Sequence, residues 1–356
     1  MPAPQIHTKL VPDLDLLEGK VDAAYCCAVL QRSANRCRVQ SLDLVQFHWW
    51  DWEKGNHVEA YSHLAALKDT GIVTDVGVTN YDAEHMLELV DAGLPVASNQ
   101  VQYSVVDTRV EGAMIAACEA HGIKLLCYGV LMGGFLNDRW LGVAEPSLES
   151  LENRSLTKYK LIIDEFGGWA LFQELLQALR NVADAHADHV HPHPRNSAGG
   201  GGPGTVSVAA VAVAWVLRQP SVGAVILGAR SDRHIHTTLA GASVVLTPSD
   251  LSLIASARVG VQGPNGAFYA LERVRDGVHG SIMRYNLNHL HKEAHLTELV
   301  RRANTSVSSA AAGKPVPRWQ IAGLKEEVGQ FTHAAVGNAD TLKALDTIAT
   351  QLERLL

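Results

Sequence analysis

The chain has 356 residues, 47% of them hydrophobic, enough to fill the core of one large α/β domain with further segments attached. Against 30 Lys and Arg stand 37 Asp and Glu, a net charge of −7 with no clustered basic stripe, so nucleic acid is not an expected partner. No apolar run reaches the roughly 18 residues that span a bilayer, and the first residues lack a signal pattern, so no membrane partner and a cytoplasmic location are expected, unless an organellar leader precedes Met1.

From residue 6 to about residue 245, short apolar runs alternate with amphipathic stretches, the pattern of parallel strands joined by helices. Ile6 to Leu10 reads as the first strand and Leu42 to Trp50 as the second. Asn56 to Asp69 follows as a helix, stopped at Thr70-Gly71. Val73 to Asn80 is the third strand, with a helix over Ala83 to Ala92 closed by Gly93; Ala97 to Ser104 is the fourth, with a helix over Val110 to His121 closed by Gly122. Lys124 to Tyr128 is the fifth strand. Ser207 to Arg218, ended by Gln219-Pro220, leads into the sixth, Val222 to Leu227. The five cysteines, Cys26, Cys27, Cys37, Cys118 and Cys127, follow no metal-ligand spacing and fall largely in apolar segments, so buried free thiols are expected.

The stretch 186–204 breaks this rhythm with His, Pro and Gly and reads as a disordered surface insertion. Its histidines, His186, His189, His191 and His193, have no framing carboxylate or thiolate, so no metal is expected there. Beyond Gly260 the alternation stops. The expected organisation is a barrel domain over 1–260, a C-terminal segment over 261–303, and a linker with a helical tail over 304–356. Asn304 to Pro317 supplies the linker composition, and Leu342, Leu345, Ile348, Leu352 and Leu355 recur near heptad spacing.

A catalytic site requires acid–base groups and polar groups that hold a ligand against them. In a parallel barrel these groups come from the C-terminal ends of the strands. In LDLVQFHWWDW, Leu44, Gln46 and His48 share one face by period two, and His48 stands at the strand's end beside Trp49 and Trp50, aromatic walls for an organic substrate. A lone histidine is as often a satisfied structural residue.

SLDLVQFHWWD, LKDTGIVTDVGVTNY, SNQVQYSVVDTR, HGIKLLCYGVLMGGFL and AVAWVLRQPSVGAVILGARS together, in that order, resemble the aldo-keto reductase family over roughly residues 6 to 256. The resemblance implies a (β/α)8 TIM barrel, incomplete here because the first two strands are absent, followed by a helical or disordered C-terminal tail. It implies an NADP(H)-dependent oxidoreductase acting on an aldehyde, ketone or alcohol. Lys9 matches the catalytic lysine that depresses a tyrosine's pKa, and His48 the catalytic histidine that hydrogen-bonds the substrate oxygen. Thr79 and Asn80 match the pair that binds the nicotinamide carboxamide, Gln100 its third partner, and Tyr128 the ring that stacks on the nicotinamide.

Gly129, Leu131 and Gly133 fall in the loop that follows the pyrophosphate, where glycines let N–H groups approach an anion. Gly228, Arg230, Ser231 and Arg233 end the last strand. Ser231 is placed to N-cap the next helix, and the two arginines favour the 2′-phosphate of NADPH. Thr237 and Thr238 stand where the family shows acidic and amide residues for the adenine. Trp140, Phe166 and Trp169 are candidates for a substrate lid.

The family's tyrosine acid and its aspartate come from the strand-two region and have no counterpart here, so impaired turnover is expected. Tyr81 and Tyr103 lie near strand ends as possible substitutes. The competing readings are a cofactor-binding regulatory protein without turnover and a truncated fragment. The oligomeric state is open.

Overall fold

The computed structural model describes residues 4–186, 206–229, 234–283, 300, 303–313, 321, 328 and 347–355. The chain divides into two compact units, Met1–Met283 and Arg284–Leu356. Residues 261–283 thus belong with the strands that precede them, not with a separate C-terminal segment.

In the first unit six strands form one sheet: β1 (His7–Leu10), β2 (Leu42–Phe47), β3 (Val73–Thr79), β4 (Ser98–Gln102), β5 (Lys124–Tyr128) and β6 (Val222–Val225). Every pair is parallel and the order follows the sequence, with β1 and β6 as the edge strands. Parallel neighbours need crossovers, which here are helical. α1 (Ala23–Cys37) joins β1 to β2, α2 (His57–Ala66) joins β2 to β3, α3 (Ala83–Asp91) joins β3 to β4, and α4 (Ala113–His121) joins β4 to β5. α5 (Arg154–Phe166), α6 (Gly168–Ala185) and α7 (Val208–Leu217) precede β6; α8 (Ile235–Leu239), α9 (Pro248–Ser256) and α10 (Ala270–Arg273) follow it.

Local chemistry sets the helix starts. Asp22, Asn56, Asp82 and Ser207 each accept a hydrogen bond from a backbone N–H of the first turn of α1, α2, α3 and α7. Thr247 and Asp250 form a reciprocal capping box on α9. α4 starts three residues later than its apolar periodicity suggests, because Thr108 to Glu111 is tied into a turn by the Glu111 N–H and Gly112 takes the N-cap place. α7 is apolar on all sides and almost wholly buried, as a helix without a polar stripe must be.

Strand alternation divides the sheet into two faces. Leu10, Val45, Phe47, Val76, Val78, Val101, Leu125 and Cys127 are fully buried on the outer face beneath the helices. There Phe47 meets Tyr61 of α2, and Asn99 lies against Met86 of α3 and Met114 of α4. The inner face is polar: Lys9 pairs in register with Gln46 and Gln46 with Gly77, while Thr79 pairs with Gln100 and Gln102 with Tyr128. A Cβ on Gly77 would lie 2.5 Å from the Ser98 carbonyl oxygen, so only glycine lets β3 and β4 approach there.

Several expectations change. Cys26, Cys118 and Cys127 are buried free thiols, but Cys27 and Cys37 are exposed, because α1 turns only one face to the core. His186 does have a carboxylate partner: its Nε2 lies 2.8 Å from Asp250 Oδ2. His189, His191 and His193 lie outside the described residues. Trp140, Trp169, Phe135 and Phe172 pack into one aromatic cluster and Phe166 is fully buried, so the expected lid residues are core of α5 and α6. Among the described residues no single helix is long and apolar enough to cross a membrane.

In the second unit, residues 303–311 are helical where composition suggests a linker. Ala303, Ile321, Val328, Ile348 and Leu352 form its buried apolar cluster, with Val307 and Leu355 against it. Leu342 and Leu345 lie outside the described residues.

Candidate active site

β2 ends at Phe47, and His48 follows on the inner face, its N–H donating to the Leu10 carbonyl at 3.0 Å. Its side chain is almost wholly buried, with Trp50 edge-on at 4.2 Å and Tyr269 edge-on at 5.9 Å between ring centroids. Nδ1 lies 3.0 Å from the Thr79 carbonyl oxygen. A carbonyl only accepts, so Nδ1 carries the hydrogen and the Nε2 of a neutral ring carries the lone pair. Nε2 is buried and has no hydrogen-bond partner among the described residues. Desolvation, then the charge of Arg273, pull the imidazole pKa down to about 3, the bond to Thr79 opposing them and Lys9 adding to them.

Thr79 Oγ1 donates to the Gln100 carbonyl at 3.1 Å, and the Asn80 N–H donates to the same oxygen at 3.0 Å. Asn80 adopts the left-handed conformation (φ 58°), which asparagine tolerates better than most residues. Its Oδ1 accepts from the Tyr128 hydroxyl at 2.8 Å, tying the end of β5 to the end of β3. Burial raises the Tyr128 pKa well above its ordinary value, so the phenol stays protonated. Lys9, on the edge strand β1, shares this face but is exposed over much of its surface; partial desolvation lowers its pKa.

Trp50 walls the site, its indole N–H donating to the Pro12 carbonyl at 3.0 Å. Trp49 does not: alternation turns its ring to the outer face, 5.7 Å from Phe47, with its N–H bonded to the Lys54 carbonyl. Tyr81 likewise sits among Trp52, His57 and Phe47, and Tyr103 bonds Glu111 beside Trp215, so neither faces His48.

In the loop after β5, Gly129 and Gly133 have positive φ, and added Cβ atoms would meet Tyr159 at 2.7–2.8 Å and Ser155 at 3.0 Å. The packing of α5 therefore demands these glycines. The N–H groups of Met132 and Gly134 are spent on the carbonyls of Gly129 and Leu131 within the loop's own turns. Gly228 lies exposed after β6 with open space around it. Arg230, Ser231 and Arg233 lie outside the described residues; α8 starts at Ile235 with His234 in the N-cap place. Thr237 donates to the His234 carbonyl and Thr238 is buried.

The aldo/keto reductase family model matches residues 3–192 and 203–259. The chain belongs to that family. Among curated relatives, flagellar radial spoke protein 5 of Chlamydomonas reinhardtii is 27% identical over 165 residues, 41% of this chain and 31% of that protein. The chloroplastic pyridoxal reductase of Arabidopsis thaliana is 27% identical over 122 residues, 32% of this chain and 33% of that protein. The chain's matches thus span about a third of the length of these relatives. The solved glycerol dehydrogenase of Gluconobacter oxydans superposes with a TM-score of 0.50 at 22% identity, covering 69% of this chain and 67% of that one. That likeness shows the fold alone.

This aldo/keto reductase chain also brings residues to the rim that its local sequence does not announce. Arg273 donates to the carbonyls of Trp49 (2.5 Å), Trp50 (2.8 Å) and Asn80 (2.8 Å), with its guanidinium 4.0 Å above the Trp52 ring. It clamps the ends of β2 and β3. The neighbouring Glu272 forms a bidentate pair with Arg109, which also binds Asp107 at 2.7 Å, all three side chains buried. Burial opposes the charge on Arg109, yet the two carboxylates raise its pKa, and Arg109 in turn lowers that of Glu272 against the same desolvation. Gln102 donates to Asp107 at 2.6 Å, joining the cluster to the inner face. The visible signal in the sequence was a Glu-Arg pair inside the otherwise apolar run AFYALERV.

Proposed function

We propose that this chain carries an aldo-keto reductase site that binds NADP(H) and transfers a hydride between it and a small aldehyde or ketone and the corresponding alcohol. The observation that carries this reading is the gathering of His48, Thr79, Gln100 and Tyr128 on one face of the sheet, at strand ends, with Asn80 bonded to Tyr128. The residues fit a nicotinamide. The buried Nε2 of Gln46 and of His48 lack protein partners, and Thr79, Asn80 and Gln100 offer amide and hydroxyl groups beside the Tyr128 ring. Bound there, the nicotinamide supplies or takes the hydride. Trp50, Tyr269 and Arg273 exclude water from His48, and Arg273 with Asn80 fixes the rim to which Tyr128 is tied.

Neutral His48 offers a lone pair at Nε2, so it accepts from the hydroxyl of an alcohol, and must itself be protonated before it donates to a carbonyl oxygen. Arg230 and Arg233 support a 2′-phosphate and hence NADPH over NADH. The reading without turnover is favoured by one observation: Tyr81 and Tyr103, the tyrosines near strand ends that would replace the family acid, face the helices. Titrating the protein with NADPH and NADH by quenching of indole fluorescence tests the shared step. Micromolar binding with preference for NADPH is expected, and absence of binding by either overturns both readings. Turnover of a panel of aldehydes and alcohols then separates the catalyst from the binder.

A further inference from the structure

Lys158, on α5, is used by nothing described so far. Its Nζ lies 5.0 Å from the centroid of the Tyr128 ring and 5.3 Å from that of Tyr159. Among the described residues no carboxylate stands within ion-pair distance of it, because the two nearest, Asp107 and Glu272, are both bound by Arg109 and Asp107 also by Gln102. Desolvation lowers the amine's pKa, with Glu272 and Asp107 opposing from a distance and Arg109 reinforcing.

The amine, on a half-buried side chain with no ion-pair partner among the described residues, has hydrogens left to donate to an anion, since an –NH3+ carries three and ring faces accept weakly. Tyr128 is the ring at which the proposed reaction centre lies. A charged group waiting beside that ring meets the substrate.

We propose that Lys158 is a specificity-determining residue that binds a carboxylate on the carbonyl substrate, so that the preferred substrates are aldehydes or ketones carrying an acid group. This rests on the function proposed above for the same site. An anion at this place accepts the ammonium's free hydrogens. The other anion within the site's chemistry is a cofactor phosphate, and the position of Nζ over Tyr128, not over the loop of Gly129 to Gly134, favours the substrate.

The test compares 4-carboxybenzaldehyde with its neutral isostere 4-carbamoylbenzaldehyde, by equilibrium dialysis on the full chain with and without NADPH. A carboxylate preference of about tenfold in Kd is expected of the unaltered protein, as for one charge-assisted contact. Lys158→Met should abolish that preference while leaving the carbamoyl compound's Kd unchanged, and Lys158→Arg should retain most of it. Equal binding of the two probes to the unaltered protein overturns the proposal. So does Lys158→Met if it weakens NADPH binding instead, because the ammonium then serves the cofactor's phosphates. Should NADPH fail to bind at all, the function proposed above falls, and the comparison of the two probes on the free protein still reads Lys158.

Discussion

An imidazole held at a pKa of about 3, when its free value is 6.5, binds its proton far more readily in the unfolded chain. The sign follows. Above about pH 6.5 both states leave His48 neutral and the fold keeps its full stability; as pH falls towards 3 the unfolded state gains a proton that the folded state refuses. At pH 5 the loss is about 2 kcal/mol. Urea unfolding at pH 7.5 and 5.0 should show that loss in the parent and less of it in His48→Gln; equal slopes would mean that His48 is solvated. The position of His48 was legible from period two along β2. The same rule places Trp49 on the opposite face, and proximity in the text is what suggested otherwise. The rim roles of Tyr269, Glu272 and Arg273 were not legible, since His48, Arg109 and Trp49, which they meet there, lie 163 or more residues away and no local pattern encodes such a contact.

At the scale of elements, all six strands stand where alternation put them, with ends shifted by at most three residues, because apolar runs bounded by turn residues leave few alternatives. Helix starts moved only where a local turn intervened, as at Thr108 to Gly112. Gly77 is the tightest point of the sheet. Gly77→Ala would press a methyl against the Ser98 carbonyl, and backbone rather than a side chain must yield. A loss of about 2 kcal/mol is expected, as for overpacking elsewhere. Amide exchange would locate the damage: faster exchange across β3 and β4, with β1 and β6 unchanged, is the anticipated pattern, and uniform change across the sheet would argue against a local clash.

For the first unit, the sheet's consecutive order brings neighbouring strands together, and the Arg109–Glu272 pair ties residues 163 positions apart. Glu272→Gln leaves Arg109 with one carboxylate in a buried place, and removing one partner of such a pair costs about 3 kcal/mol. Arg109→Met combined with Glu272→Met should cost less than the two single changes summed, which thermal unfolding of the four proteins measures; strict additivity would show the pair to be uncoupled. The boundary between units was not legible at residue 260, because the contacts that tie 261–283 to the preceding elements, this ion pair and the Arg273 clamp among them, do not alter composition. That clamp also has a temporal side. Synthesis proceeds from the N-terminus, so the carbonyls of Trp49 and Trp50 wait more than 220 residues for the guanidinium that covers them. A nascent chain already holding β1 to β6 still shows water the rim around His48, and that rim is covered only in the last steps of translation of this unit.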